Sequence, residues 1–343
     1  MKPLQIGIVG CGEIAVHTAE AIAAAENAAL ALTADVKEEL AADLGTKYGV
    51  PYTTDPAELL ASEAVDAVYI ATPHHLHAPL TIQAAEQGKH VMVEKPMATT
   101  VADAQRMIDV CRKNGVRLGV CFIMRYRAEI RRARELVQNG LIGKVMGVSL
   151  AALGDKPATY WHGGYSGRAQ TDWRTKKETS GGGILIMNVS HNLDYIRFIT
   201  GLEVTRVYAE YGTFATPVEV EDLLTATLRF NNGAVGVIEA TSCARGGSRQ
   251  PRSDRIYGTQ GQILLGRPLL VYPEREDMGF TPGKWHEVPV EQPVGERQLF
   301  VEDFARAVAE GKPAPVSGED GLAALAIVES AYRAGELGEV ITL

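Results

Sequence analysis

Several features that mark special environments are missing from this 343-residue chain. Its four cysteines, Cys11, Cys111, Cys121 and Cys243, are scattered and form no Cys-x-x-Cys pair, which argues against a zinc site or a disulfide framework. Unpaired thiols make the cytoplasm the expected compartment. No run approaches 18 consecutive apolar residues, so no bilayer-spanning helix is expected. No cationic segment precedes an apolar run at the N-terminus, as a secretory leader would need. Positive charge is in deficit: the formal net charge is −8, which leaves no basic field to draw in nucleic acid or an anionic membrane.

What is present is ordinary globular composition, 46% hydrophobic and 22% charged, at a length that implies two domains. Leu4–Gly10 is a near-continuous apolar run, as expected for a parallel strand covered on both faces. Strands are expected again at Ala28–Ala34, Val65–Thr72, His90–Glu94 and Val116–Phe122. Helices fall between them at Val16–Ala25, Glu38–Tyr48, Pro79–Glu86 and Val101–Asn114. Thr100 and Asp103 open the last of these as a capping-box-like pair, and Gly88 and Gly115 sit where left-handed caps belong. This alternation predicts a doubly wound parallel sheet over residues 1–123.

Beyond residue 123 the pattern changes. Tyr126–Asn139 is an arginine-rich helix, and Arg127, Arg131, Arg132 and Arg134 read most simply as its solvated face. A strand is expected near Val145–Ala151. Residues 154–183 are rich in glycine, polar and aromatic residues and too long for a mere connector. A helix over Ile184–Ile199 follows. Val204–Thr213, Leu223–Phe230, Ala234–Ser242 and Arg255–Leu265 then alternate with period two. Asn231-Asn232-Gly233 is a strong hairpin turn between two of them. Helices at Gln298–Glu310 and Asp320–Glu336 complete the chain. Residues 124–343 are therefore expected to form an α+β domain with a large, mainly antiparallel sheet.

Gly10-x-Gly12-x-x-Ala15 lies between a strand and a helix. Its glycines permit a tight turn and close approach of backbone to a pyrophosphate, with Glu13 and Ile14 in the first turn of the helix whose N-terminus meets the charge. Asp35 follows 25 residues after Gly10, at the end of the next strand, where it would accept hydrogen bonds from the adenosine ribose. A carboxylate there repels a 2′-phosphate, as do Glu38 and Glu39 nearby against only Lys37. NAD is favoured over NADP. The plainer reading is a structural glycine turn.

Val91-Met92-Val93-Glu94-Lys95-Pro96 ends the fourth of these strands. Together with Ala71-Thr72-Pro73-His74-His75-Leu76-His77, Gly88-Lys89-His90 and Gly181-Gly182-Gly183 leading to His191, it resembles the Gfo/Idh/MocA family of glucose–fructose oxidoreductase, inositol dehydrogenase and their relatives. The resemblance covers essentially the whole chain and is most specific over residues 6–123. It implies a Rossmann domain and an NAD(P)-dependent sugar or polyol oxidoreductase that assembles as a homodimer or homotetramer through the C-terminal sheet. It also implies a nicotinamide-side role for Glu94 and a border on the nicotinamide for Thr72, Pro73, His74 and His77. That placement makes a metal cluster of His74, His75 and His77 unexpected.

Lys95 sits at a strand end, where ligands bind in open α/β sheets. Its ammonium can hydrogen-bond a substrate hydroxyl and stabilise an alkoxide. His191 is the candidate general base, since histidine titrates near neutrality unaided. The resemblance departs here: family members usually carry Asp, sometimes Asn, four residues before this histidine, and this chain has Met187. Asn188 is expected to face substrate instead, and Asp194 is an alternative partner for His191, although the resemblance implies a structural role for it. Trp161, His162, Tyr165, Trp173 and Arg174 crowd the glycine-rich segment, where aromatic faces suit sugar rings, although a packed loop would use the same residues. Arg125 and Tyr126 match a family segment near substrate. Two other readings stay open, a redox-neutral NAD-using glycosidase or sugar hydratase and a catalytically silent NAD-binding regulator.

Overall fold

The computed structural model describes residues 2–247 and 254–343. They form two compact units: Met1–Ile123, Pro157–Gly182 and Val294–Leu325 in the first, and Met124–Lys156, Gly183–Pro293 and Ala326–Leu343 in the second. The expected split into successive blocks 1–123 and 124–343 is thus interrupted twice. The reason lies in what the first block leaves uncovered. Its first helix presents Ala15, Ala19 and Ile22, all fully buried, and the late helix Glu296–Ala309 packs against it.

In the first unit six strands run parallel: β1 (Leu4–Val9), β2 (Ala28–Ala34), β3 (Tyr52–Thr53), β4 (Ala67–Ile70), β5 (His90–Val93) and β6 (Leu118–Val120). Their order, β3-β2-β1-β4-β5-β6, reverses direction of travel beside β1, the switch point where open α/β sheets bind ligands. Helices α1 (Glu13–Ala24), α2 (Glu38–Tyr48), α3 (Pro56–Ala61), α4 (His77–Glu86) and α5 (Val101–Lys113) make the connections. Thr100 caps α5 as expected, its hydroxyl accepting from the Asp103 amide at 3.1 Å. The short β6 gains a neighbour from the far end of the chain: the Val120 amide donates to the Val316 carbonyl at 3.0 Å.

In the second unit α6 (Ala128–Gln138) packs against the helix Ser190–Thr200. The α6 arginines are not all solvated, since the Arg134 guanidinium lies 4.2 Å from the centre of the Phe198 ring. The sheet has nine strands: β7 (Val145–Leu153), β8 (Val204–Gly212), β9 (Leu223–Phe230), β10 (Val235–Thr241), β11 (Asp254–Gly258), β12 (Gly261–Leu265), β13 (Leu269–Pro273), β14 (His286–Val288) and β15 (Ile341–Thr342). The single strand expected at Arg255–Leu265 is a hairpin, β11 and β12, folded at Thr259–Gln260. Pairing is antiparallel except between β7 and β10. Alternate residues of β9 and β10 are buried and exposed, so one face is covered. The other leaves Met146, Val235, Val237 and Tyr257 accessible, at 49%, 50%, 44% and 36%.

Candidate functional site

The turn after β1 has the geometry a pyrophosphate needs. Gly10 has φ +89°, and a Cβ there would sit 2.8 Å from the Ala71 carbonyl group, so only glycine fits. Gly12 caps α1 with no side-chain hydrogen bond, which leaves the first-turn N–H groups of the helix for a ligand. Asp35 is held at the end of β2, its carboxylate accepting from the Cys11 amide at 2.7 Å and the Lys37 amide at 2.9 Å. Ile14 is 36% exposed beside the turn. The Glu13 side chain is engaged elsewhere. Its carboxylate accepts from the amides of Tyr165 (3.0 Å) and Ser166 (2.8 Å), so only its backbone remains for a phosphate. Gly10, Gly12, Asp35 and the open helix end together fit a dinucleotide.

The ends of β4 and β5 carry the second cluster. Thr72 and Pro73 follow β4, half-buried. His77 is wholly buried, with Nδ1 2.8 Å from the Pro96 carbonyl oxygen and Nε2 2.9 Å from that of Thr72. It ties the two strand ends together instead of facing a ligand, because both ring nitrogens are already engaged. His74 is also buried, with Nδ1 2.7 Å from the Ser180 carbonyl oxygen. Burial pushes both imidazoles below the usual histidine range.

Glu94 is 6% exposed and locked. Its carboxylate accepts from the Tyr69 hydroxyl at 2.6 Å and the Arg297 guanidinium at 2.8 Å. Both bonds fall on Oε1, while Oε2 accepts from the Lys95 amide at 3.1 Å. Lys95, half-buried, follows it. Burial pushes the Lys95 ammonium below the usual lysine range, Glu94 opposes this, and the cations Arg174 and Arg297 reinforce it.

The aromatic segment sorts by burial. Trp161 is 3% exposed and packs edge-on against Tyr160 at 5.5 Å, so it serves the loop's core and offers no open stacking face. Trp173 lies 4.3 Å from the His74 ring. The Arg174 guanidinium stacks over Trp173 (4.4 Å) and Tyr160 (5.2 Å). Tyr165 is 62% exposed. His162 lies outside on the surface, 3.0 Å from Asp172.

In the second unit the expected helix Ile184–Ile199 divides into a π-helical turn, Leu185–Val189, and the α-helix Ser190–Thr200. Such wide turns recur at functional sites. Met187 and Asn188 lie in the π-turn, Met187 buried and Asn188 and His191 half-buried. The two oxygens of Asp194 accept from Arg125 at 2.8 and 2.6 Å in a buried bidentate pair. That pair engages Nε and Nη2 of Arg125, which is 7% exposed. Tyr126 is buried at 4% exposure under the Arg131 guanidinium, which leaves no open ring face for a sugar.

Sequence reasoning missed three residues. Arg297 donates to Thr18 and Tyr69 as well as Glu94. Glu221, buried, accepts from the amides of Gly183 (2.6 Å) and Leu185 (2.9 Å) and from the Tyr332 hydroxyl (2.8 Å). It thereby anchors the backbone that enters the π-turn. Arg168 binds the Cys11 carbonyl at 3.0 Å. Only the Gly181-Gly182-Gly183 run hinted at any of this: a Cβ on Gly183 would lie 1.9 Å from the Glu221 carbonyl oxygen.

Among the described residues no group of three or more His, Cys, Asp or Glu could hold a metal ion, and no helix is long and apolar enough to cross a membrane. Residues 4–122 match the family model described as an oxidoreductase family with an NAD-binding Rossmann fold, and residues 130–264 match the GFO/IDH/MocA C-terminal domain. The chain is 29% identical to a myo-inositol 2-dehydrogenase of Thermotoga maritima, over 97% of this chain and 96% of that one. It is 30% identical to a D-glucoside 3-dehydrogenase of Escherichia coli, over 70% of each. Its fold matches a levoglucosan dehydrogenase solved with NADH and levoglucosan at TM-score 0.86 and 26% identity, covering 99% of both chains.

Proposed function

Because the chain belongs to the Gfo/Idh/MocA oxidoreductase family, we propose that it is an NAD-dependent dehydrogenase of sugars or polyols acting on a CH–OH group. One observation carries this reading. The uncapped α1 N-terminus at Gly10–Gly12, Asp35 at the end of β2 and Lys95 after β5 all lie at the C-terminal ends of one parallel sheet, the edge where such sheets bind ligands. The relatives named as inositol, glucoside and levoglucosan dehydrogenases support the substrate class.

Gly10, Gly12 and the amides of Glu13 and Ile14 would hold the pyrophosphate, and Asp35 the adenosine ribose. The Asp35 carboxylate disfavours a 2′-phosphate, hence NAD over NADP. When bound, the cofactor supplies a hydride acceptor. Lys95 holds the substrate hydroxyl through its ammonium and steadies the alkoxide that forms as hydride leaves. His191 takes the hydroxyl proton as general base, and Asn188 is a hydroxyl contact. Trp173, Arg174 and Tyr165 offer the sugar its stacking and hydrogen-bonding surface. Thr72 and Pro73 border the nicotinamide through their backbone.

The uncovered sheet face with Met146, Val235, Val237 and Tyr257 is read as the seat of a second copy, in a homodimer or homotetramer. With the cysteines free, a cytoplasmic location is proposed. The test is a screen of the purified protein with NAD and NADP against polyols and sugars, following absorbance of the reduced cofactor. No reduction with any substrate by the unmodified protein overturns the dehydrogenase reading.

A further inference from the structure

Within the first unit, residues 163–170 run across the turn between β1 and α1 and are tied down on both sides of it. On the α1 side the Glu13 carboxylate takes the Tyr165 and Ser166 amides. Over the turn, Arg168 Nε donates to the Cys11 carbonyl at 3.0 Å, and the Ala169 Cβ lies 3.9 Å from where a Gly12 Cβ would be. On the α2 side Arg168 Nη2 lies 2.7 Å from the Asp43 carboxylate, and Lys37 Nζ donates to the Gln170 carbonyl at 2.9 Å. These anchors bracket the ground that a dinucleotide's pyrophosphate and adenosine ribose would occupy between Gly12 and Asp35. They also set a guanidinium, 22% exposed, over the place where two phosphate charges would sit. A fixed cation there adds to the helix end beneath it, and charge-assisted contacts to phosphate are among the stronger ones.

We propose that residues 163–170 are a strap that pins the bound dinucleotide, with Arg168 as the residue that positions its phosphates, so that release of the cofactor is slower than hydride transfer and limits turnover. The inference rests on the dinucleotide reading above. For the cofactor to leave, the Arg168–Asp43 pair and the Glu13–amide contacts must open together, and contacts that share one moving segment add their barriers.

The experiment is stopped-flow release of NADH from the full chain, followed by energy transfer from protein tryptophan, together with calorimetric binding of NADH and circular dichroism of each variant. The unmodified chain should release NADH more slowly than it forms it in a single turnover, so that release sets the steady-state rate. Arg168→Ala should raise the release rate by about tenfold or more, a factor equivalent to about 1.4 kcal/mol. Arg168→Lys should restore much of the retention, which a purely packing role would not allow. Asp43→Asn removes an anchor at an exposed carboxylate without altering the strap, and should also speed release; it stands as the test should Arg168→Ala fail to fold. If NADH binds but leaves the Asp43→Asn and Arg168 variants at the unmodified rate, or leaves the unmodified chain faster than turnover, the strap is overturned and the dinucleotide site stands. If the unmodified chain binds no NADH, both fall.

Discussion

The Glu94 carboxylate and the Arg297 guanidinium, 203 positions apart in sequence, meet at 2.8 Å in a buried corner of the first unit. Burial alone would raise the Glu94 carboxyl, but Arg297 and then Lys95 outweigh it and hold the group below the usual carboxylate range. Its stabilising contribution is therefore present above the ordinary glutamate value of about 4.3 and is lost as pH falls through the folded value. Arg297→Met strands the carboxylate and should cost about 3–5 kcal/mol in urea melts near neutral pH. Adding Glu94→Gln should recover part of that loss. Independent, additive effects would show that the two groups do not act as a pair.

Asp35→Ala combined with Val36→Arg should shift preference toward NADP. Val36 is 79% exposed, so an arginine there can reach a 2′-phosphate without disturbing the core. Calorimetry on both cofactors reads the change. Tighter NADP than NAD binding by the unmodified protein would refute the role given to Asp35.

His191→Ala should lower turnover about 10²–10⁴-fold, the contribution of a positioned proton acceptor, while NAD affinity stays nearly constant. Lys95→Met should lower turnover and weaken cofactor binding together. Met187→Asp should cost stability, the site being 3% exposed, and should move the pH midpoint of turnover upward, since a nearby carboxylate favours protonated imidazole. Near-normal turnover in His191→Ala would transfer the proton to Lys95.

His74 and His77 make the protein acid-sensitive in a defined window. Burial lowers both imidazoles, so the unfolded chain binds protons near the ordinary histidine value of about 6.5 that the folded chain does not. Stability should be full above about pH 7.5 and fall as pH drops below that value, ahead of the carboxylate range. Thermal melts of His77→Gln should show a shallower fall between pH 7 and 5.5, although a lower melting temperature at neutral pH. An unchanged slope would rule out the buried imidazoles as its source.

Val237→Lys with Tyr257→Asp places charge on the open face of the second unit's sheet. Sedimentation should show the unmodified chain associated at micromolar concentration and the double variant monomeric. A monomeric unmodified chain ends the proposal of a second copy on this face.

The glycine turn, β1 and the α5 cap were legible because each rests on local chemistry. A doubly covered strand needs an apolar run, a positive φ needs glycine, and Thr100 needs only its own helix. The β11–β12 hairpin was missed because Tyr257-Gly258-Thr259-Gln260-Gly261 lacks the Asn-Gly signal that marks the β9–β10 turn. Arg297, Arg168 and Glu221 carried no signal because their partners are distant in sequence. Burial is what a sequence hides in the other direction. Residue type pointed to a ligand contact for Trp161 and the family segment did so for Arg125, and the structure buries the first against Tyr160 and pairs the second with Asp194.

The return of residues 294–325 to the first unit has a temporal consequence. During synthesis, strands β1–β6 are complete long before Arg297 exists, so Glu94 waits without its counter-charge and α1 without the helix carrying Phe300 and Phe304. Near β6, the Phe304 ring comes within 2.9 Å of where a Gly119 Cβ would be, and the Val120 amide has its acceptor in Val316. A fragment ending at residue 123 lacks all of these. The Rossmann sheet is made early in this sequence, yet the contacts that finish its packing come from residues 294–325.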